Sequence, residues 1–455
     1  MGLGIVSLIK SFAPVALYFL GIGCFLAALS GRLRWALLLV TFLLPLRNVI
    51  DKLQNFPLGN QFIDILIAGM LLGWLLSRLA LRTKLMERSP LNTAAVLLIV
   101  YTFVSLQIGN HYLHYGGILD VSDPRVQDWK NFCLLPILYF LTLNEIKDKE
   151  WAWKTVAVMC AAMLLSAYYT STQVSWFSSL ESRAKINGTF QFLGPNEVAA
   201  FFNTYTLILM SVYFSMRRSI YKILLAGLIL FNLYCIVFLY SRGAYAATAL
   251  GMFVLFAARN KKLLVPFVLA LLLWQVLLPQ KAIMRIQGTT NVYGELDESS
   301  MRRMEVWRAS LVIFENNPVF GLGFGTFRHL GFDLSDTHNI YIKIMVEQGL
   351  IGMFAFLIVT CCFLYEGWRL FRWGDEELSK GLGFGLIVGI LVLLVNNMFG
   401  DRWSYLELNG YLWIFAGLVT RLRVISTEAH AEKLAVRQKS EDKRPLRERL
   451  DKKQR

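Results

Sequence analysis

Charged side chains are scarce in this chain, 17% of 455 residues against about 25% in ordinary globular proteins. That shortage excludes a soluble domain of this length, because a core large enough for 56% hydrophobic residues would still need a polar surface around it. Lipid can take up so much apolar sequence, provided that the backbone satisfies its own hydrogen bonds as helices. Cysteine is equally sparse. Cys24, Cys133, Cys160, Cys235, Cys361 and Cys362 all fall in apolar segments and form no CxxC pair, which argues against a zinc, redox or disulfide framework. Histidine occurs five times. His111 and His114 lie three apart with no carboxylate at matching helical spacing, so they read as interfacial polar residues and not as metal ligands.

What is abundant is positive charge and apolar runs. The net charge of +15 resembles a nucleic-acid signal, but the Lys and Arg residues sit in short loops between apolar runs, so nucleic acid is not the expected partner. Runs of about 20 apolar residues are needed to span a bilayer. Candidates lie near 11–29, 33–50, 62–80, 91–110, 128–146, 152–172, 196–215, 221–240, 243–258, 263–279, 339–366, 382–399 and 404–421. The expected fold is therefore an all-α integral membrane protein with about 12–13 transmembrane helices and one long, partly helical outer loop. The first run reads as an uncleaved helix and not as a signal peptide, because further membrane segments follow at once.

Loop charge sets the orientation. Eighteen Lys and Arg residues sit in one set of short loops (the groups around Arg32, Arg78, Lys147, Arg217, Arg259 and Arg369), and twelve more in the tail from Arg421. That side is expected to be cytoplasmic, which puts 111–127, 173–195 and 280–338 outside. The chain then divides into N-terminal membrane helices (1–279), a long outer loop (280–338), C-terminal membrane helices (339–421) and a basic cytoplasmic tail (422–455), read as a frayed helix or as disordered. Within the long loop, Ser300 to Glu315 has helical apolar spacing through Met304, Trp307, Leu311 and Phe314, and Asn316-Asn317-Pro318 ends it.

The outer side also carries the residues suited to chemistry. Asp336 and Thr337 are N-cap candidates, which would put His338 in the first turn of a membrane helix. The positive end of the helix dipole would keep that imidazole neutral and able to accept a proton, as a general base for a sugar hydroxyl must. Arginines outside run against the positive-inside bias, so each needs a reason. Arg242 sits in a tight Ser-Arg-Gly turn, Arg302 and Arg303 open the loop helix, and Arg183 and Lys185 precede Asn187-Gly188. Guanidinium forks match phosphate oxygens, so together they suggest a site for a lipid-linked diphosphate. Lys343 and Glu347, four apart, are expected to form a structural pair inside the membrane. The glycines of Gly321-Leu322-Gly323-Phe324-Gly325 follow no strand and read as a turn returning the chain to the membrane.

Several stretches resemble the O-antigen ligase and polymerase superfamily of bacterial envelope glycosyltransferases. They are Ser241-Arg242-Gly243-Ala244; Arg303-x-x-x-Trp307 followed by Asn317-Pro318-x-x-Gly321-x-Gly323-x-Gly325-x-Phe327; His338-Asn339-x-Tyr341 running on to Glu347-x-Gly349-Leu350-Ile351-Gly352; and Gly188-Thr189-Phe190 with Pro195-Asn196. Together they cover roughly 183–355. The resemblance implies a periplasmic active site in the bacterial inner membrane, without cofactor or metal. There a glycan would move from undecaprenyl diphosphate to lipid A-core or to a second glycan. His338 falls on the family's essential histidine, Asn339 completes its motif, and Arg242 and Arg303 fall on family arginines. Where the family often has Arg, three residues before Gly188, this chain has Lys185, so Arg183 or Lys185 would take that role. A polymerase, a protein O-oligosaccharyltransferase and a non-enzymatic lipid or solute transporter remain alternatives to the ligase.

Overall fold

The computed structural model describes residues 2–82, 84, 86–115, 117–176, 182–288, 298–331 and 336–442. Parts of the expected outer loops (116, 177–181, 289–297 and 332–335) and of the tail (443–455) lie outside the described residues.

The described chain is all helix. The elements are α1 (Gly2–Leu29), α2 (Leu33–Leu43), α3 (Arg47–Ile50), α4 (Phe62–Ala80), α5 (Pro90–Tyr112), α6 (Pro124–Glu145) and α7 (Lys149–Trp176). They continue as α8 (Pro195–Ser215), α9 (Ile220–Phe238), α10 (Arg242–Arg259), α11 (Leu264–Leu272), α12 (Trp274–Leu277) and α13 (Gln280–Gln287). The last are α14 (Glu298–Asn316), α15 (Ile340–Trp373), α16 (Glu377–Asn396) and α17 (Leu406–Asp442).

Among the described residues, eight helices are by themselves long and apolar enough to cross a membrane, and a ninth span arises if one bent pair counts as one. That pair is Leu33–Leu43 with Arg47–Leu53, bent by 107°. Pro45 stands at the bend, where it removes a backbone donor.

All thirteen expected runs fall on helix, but five of them do not qualify as spans alone, the bent pair and four others. α11 has nine residues, about 14 Å of rise, half of what a bilayer core needs. α10 begins and ends on arginine. α6 and α17 carry charges towards their ends and pack against each other along uncharged middle stretches, where Trp413, Tyr411 and Phe415 are almost wholly buried. A helix shielded from lipid by its neighbours need not be apolar all round. In the described part of the tail, α17 continues without a break to Asp442.

Close packing in the second half depends on small residues, as lipid-embedded helices generally do. A Cβ on Gly385 or Gly389 of α16 would strike Ile208 of α8. Asn203 of α8 and Asn396 of α16 exchange side-chain hydrogen bonds, at 2.9 and 3.3 Å.

One connection decides where the site forms. α15 is not continuous, because Gly349 has φ +61° and ψ −161°. The segment after α14 lies in this break: Leu350 N–H donates to Pro318 O at 2.8 Å, Leu322 N–H to Val346 O at 2.9 Å and Gly323 N–H to Glu347 O at 2.7 Å. Phe324 N–H donates to Ser105 O of α5 at 3.0 Å. The expected turn thus takes the form of backbone laid against backbone. Gly323 shows why glycine is needed: its φ is +111°, and a Cβ would stand 2.1 Å from Gly109 N. Glu347 belongs to the same junction, its carboxylate accepting from Phe327 N–H at 3.1 Å.

The expected Lys343–Glu347 pair therefore does not form the main contact. Lys343 instead donates to Asp401 at 3.0 Å, from the loop between α16 and α17. Spacing along a helix shows that two residues share a face, but not what a neighbouring loop brings to it.

Gly323→Ala should lower stability in detergent by about 2–4 kcal/mol, because strain at positive φ adds to a backbone clash. Gly331, also at positive φ (+75°), has open space around its Cβ position, so Gly331→Ala should cost only about 1 kcal/mol. Equal melting temperatures for the two variants would contradict the docking role.

Candidate active site

His338 is not on α15. The helix starts two residues later, and its cap is Asn339, whose side-chain oxygen accepts from Tyr341 N–H at 3.0 Å and Ile342 N–H at 3.3 Å. Neither Asp336 nor Thr337 caps the helix as expected. Thr337 Oγ1 bridges the backbone of Asn339 instead, donating to its carbonyl at 2.7 Å and accepting from its N–H at 3.2 Å. His338 is left between these two turns with φ +52°, in the left-handed region that side-chain-bearing residues seldom occupy. Such a conformation persists only where the surrounding contacts hold it.

α14 supplies what holds this loop. The expected helix is present, but its buried face is rotated: Val306 and Ser310 are buried and Trp307 and Ile313 half-buried, whereas Met304 and Leu311 are exposed. Trp307 Nε1 donates to Thr337 O at 2.8 Å, one residue before the histidine. Arg303, one turn earlier, lies on the same half-buried side, while Arg302 is exposed. The Arg303-x-x-x-Trp307 spacing thus has a physical reason: the tryptophan fixes the loop, and the arginine follows it to the imidazole.

The electrostatics around His338 follow from this placement. Its pKa is held below the ordinary histidine value, first by burial; Asp336 pulls it back up, and Arg303 and Arg402 push it further down. The Asp336 carboxylate is 3.8 Å from His338 Nδ1. The ring is therefore neutral at neutral pH, as the sequence suggests, but burial and neighbouring guanidinium groups are the causes, and not a place within the helix.

A second group of arginines adjoins. Arg183 is buried, its Nε donating to Leu239 O at 2.7 Å and Nη2 to Asn196 Oδ1 at 2.6 Å. Its pKa is pulled down to about 10, first by burial and then by the charge of Arg285, with Arg242 adding a smaller effect and Glu197 opposing. Glu197, in the first turn of α8, pairs with Arg402 at 2.9 Å and also acts on His338. This carboxylate links the two groups. Of Arg183 and Lys185, the arginine is turned inward and the lysine is exposed. Arg242 is the first helical residue of α10, and Gly243 after it lets Phe399 lie against the turn, since a Cβ would meet that ring at 2.7 Å.

Three contributors go unnoticed in the sequence: Arg402, Arg285 and Glu197. The positive-inside bias that singles out Arg242 applies equally to Arg402 and Arg285, so that signal was available. Glu197 had none, since a carboxylate in the first turn of a helix is commonplace.

A cavity of about 620 Å³ opens on the other side of the same loop. Asp336, Lys343 and Asp401 line it, whereas His338, Arg242 and Arg303 are not part of this lining. The loop between α16 and α17 acts as a partition. Asp401 turns to the cavity, where it holds Lys343, and Arg402 turns to Glu197. No group of His, Cys, Asp and Glu among the described residues has the arrangement of a metal site.

Residues 226–357 match the family model described as O-antigen ligase, so this stretch of the chain is similar to that family. Arg242, Arg302, Arg303, His338 and Asn339 fall inside the matched stretch, and Arg183, Lys185 and Arg402 outside it. No curated protein matches the chain.

The imidazole environment is directly testable by histidine NMR in detergent. Asp336→Asn should move the His338 titration to lower pH, because the carboxylate stabilises the charged ring. Arg303→Gln should move it to higher pH by removing a repelling charge. Shifts in the opposite directions would mean that His338 has other neighbours in solution.

Proposed function

We propose that this membrane protein is a glycosyltransferase of the O-antigen ligase type. It moves a glycan from undecaprenyl diphosphate to a hydroxyl of lipid A-core, on the periplasmic face of the inner membrane. The observation that carries the reading is a neutral histidine fixed by its own loop between one carboxylate and a set of guanidinium groups.

The chemistry follows from those charges. Arg303, Arg402, Arg183 and Arg242 hold the diphosphate by charge-assisted hydrogen bonds. The acceptor oxygen forms the new bond to the anomeric carbon while the bond from that carbon to the diphosphate oxygen breaks. The electron pair leaves with the diphosphate, and the guanidinium groups stabilise the charge developing there without a metal ion. The acceptor's proton passes to His338 Nε2 or Nδ1 and from there to water. Asp336 stabilises the imidazolium formed in that step. Burial of the ring favours its return to the neutral form.

Glu197 has a defined part. In the structure it occupies Arg402 Nη1 at 2.9 Å, so a diphosphate engaging Arg402 must compete with that carboxylate. Asn339 serves by capping α15, which fixes the residue after the histidine.

The side of the membrane rests on loop charge. The end of the bundle opposite His338 carries the dense positive loops, and the positive-inside bias assigns them to the cytoplasm. The basic helix beyond Arg421 then lies at the anionic inner leaflet.

Purified protein in detergent, given an undecaprenyl-diphosphate glycan and lipid A-core, should yield glycan on the core. His338→Ala should reduce this by at least about a thousandfold, the scale of general-base catalysis, with the melting temperature unchanged. The wild-type rate should fall as pH drops through the depressed His338 pKa, since only the neutral ring accepts a proton. Wild-type turnover in His338→Ala would overturn the mechanism, and a lengthened carrier-linked glycan would make the enzyme a polymerase with the same site.

A further inference from the structure

The 620 Å³ cavity beside the partition has a lining unlike that of the arginine side. Its volume is within the range of about 300–1,000 Å³ usual for ligand sites. Four cations line it, and each is already engaged by a carboxylate. Arg47 pairs with Asp51 at 2.8 Å and with Glu407 at 3.7 Å, Lys130 with Asp64, Arg328 with Asp128, and Lys343 with Asp401 at 3.0 Å. Six carboxylates line the same space, so acid exceeds base. A phosphate entering here would find every cation engaged and would have to compete with the carboxylates that hold them, and close like charges cost several kcal/mol.

The remaining lining suits sugar. Asn60, Gln61, Gln127 and Asn131 offer amides that both donate and accept, as hydroxyl groups do. Phe324, Trp403 and Tyr405 offer flat apolar faces to the C–H side of a pyranose ring. One lining atom also lacks something: Asp336 Oδ1 is buried without a hydrogen-bond partner among the described residues, while Oδ2 of the same carboxylate is 3.8 Å from His338 Nδ1. A buried acceptor without a donor is uncommon and points to an occupant.

We propose that this cavity is the acceptor site, and that it takes an uncharged, hydroxyl-rich sugar end and rejects a phosphorylated one. The inference rests on the transferase reading above and assigns its second substrate by chemistry. An acceptor hydroxyl donating to Asp336 Oδ1 stands at the partition, next to the histidine that removes the proton of the reacting hydroxyl. The donor's diphosphate stays across the partition with Arg402, Arg303 and Arg183. Charge thereby sorts the two substrates: the anionic one is drawn to the guanidinium side and kept out of the cavity. Such a neutral sugar end could belong to the outer part of a lipid-anchored core or to a growing carrier-linked glycan.

The test needs no turnover. Full-length protein in nanodiscs is irradiated with a diazirine-bearing neutral oligosaccharide on a lipid anchor, with the same probe bearing a phosphate ester on its terminal sugar, and with a carrier-linked neutral glycan bearing the diazirine. Labelled peptides are mapped by mass spectrometry, and undecaprenyl diphosphate binding is measured in parallel. Neutral probes should label α6 around Asn131 and the loop around Trp403. The phosphate ester should lower labelling by about tenfold or more, equivalent to about 1.4 kcal/mol. Asn131→Leu should weaken that labelling while leaving undecaprenyl diphosphate binding intact. Which anchored probe labels better identifies the source of the sugar end, and labelling by either supports the site. Equal labelling by the phosphorylated probe, labelling confined to the arginine side, or no labelling would each overturn the acceptor assignment. Loss of undecaprenyl diphosphate binding in the unmodified protein would instead count against the transferase reading itself.

Discussion

The site depends on one backbone junction, the insertion of residues 318–324 into the break of α15 at Gly349. A membrane helix keeps its hydrogen bonds to itself because lipid offers no others. Here the break exposes backbone groups at Val346, Glu347 and Leu350, and the returning segment pairs with them. No side chain could fit between strands that close, which is why Gly321, Gly323 and Gly349 stand where they do, all at positive φ. The junction locks the segment after α14 to the start of α15. It thereby brings Trp307 to Thr337, and Arg303 to His338.

Arg125 adds a second anchor beneath the same segment. It is wholly buried, with Nη2 bonded to Asp123 at 2.5 Å and to Asn110 at 2.6 Å, and a Cβ on Gly325 would press on its side chain at 3.0 Å. A buried charge of this kind is stable only when paired and hydrogen-bonded, so α5, α6 and the glycine-rich segment are coupled at one point. The consequence for the site is that the residues flanking His338 rest on buried polar contacts and on the backbone pairing beneath them.

The partition between α16 and α17 then separates two electrostatic environments within a few residues. Asp401 and Arg402 are adjacent in the chain and serve opposite sides, one holding Lys343 beside a cavity rich in carboxylates, the other meeting Glu197 among guanidinium groups. On the transferase reading proposed above, such a division keeps the anionic donor on the guanidinium side and out of the cavity.

The sequence by itself determined the helical membrane class, the position of nearly every helix and the helix in the long loop, and it singled out the histidine and the outer arginines as candidates. These follow from local quantities: apolar run length, loop charge, turn residues and motif spacing. Tertiary structure decided the rest. Which face of α14 is buried depended on where the returning segment lay, so Val306 and Ser310 are inside and Met304 and Leu311 outside. Lys343 found Asp401 and not Glu347 because a loop 58 residues away closes over it. Arg402 and Glu197 joined the site through contacts between α8 and the α16–α17 loop, which no periodicity along either segment records. Long-range pairing of charges depends on the spatial closure of the chain, and only the folded bundle specifies that closure.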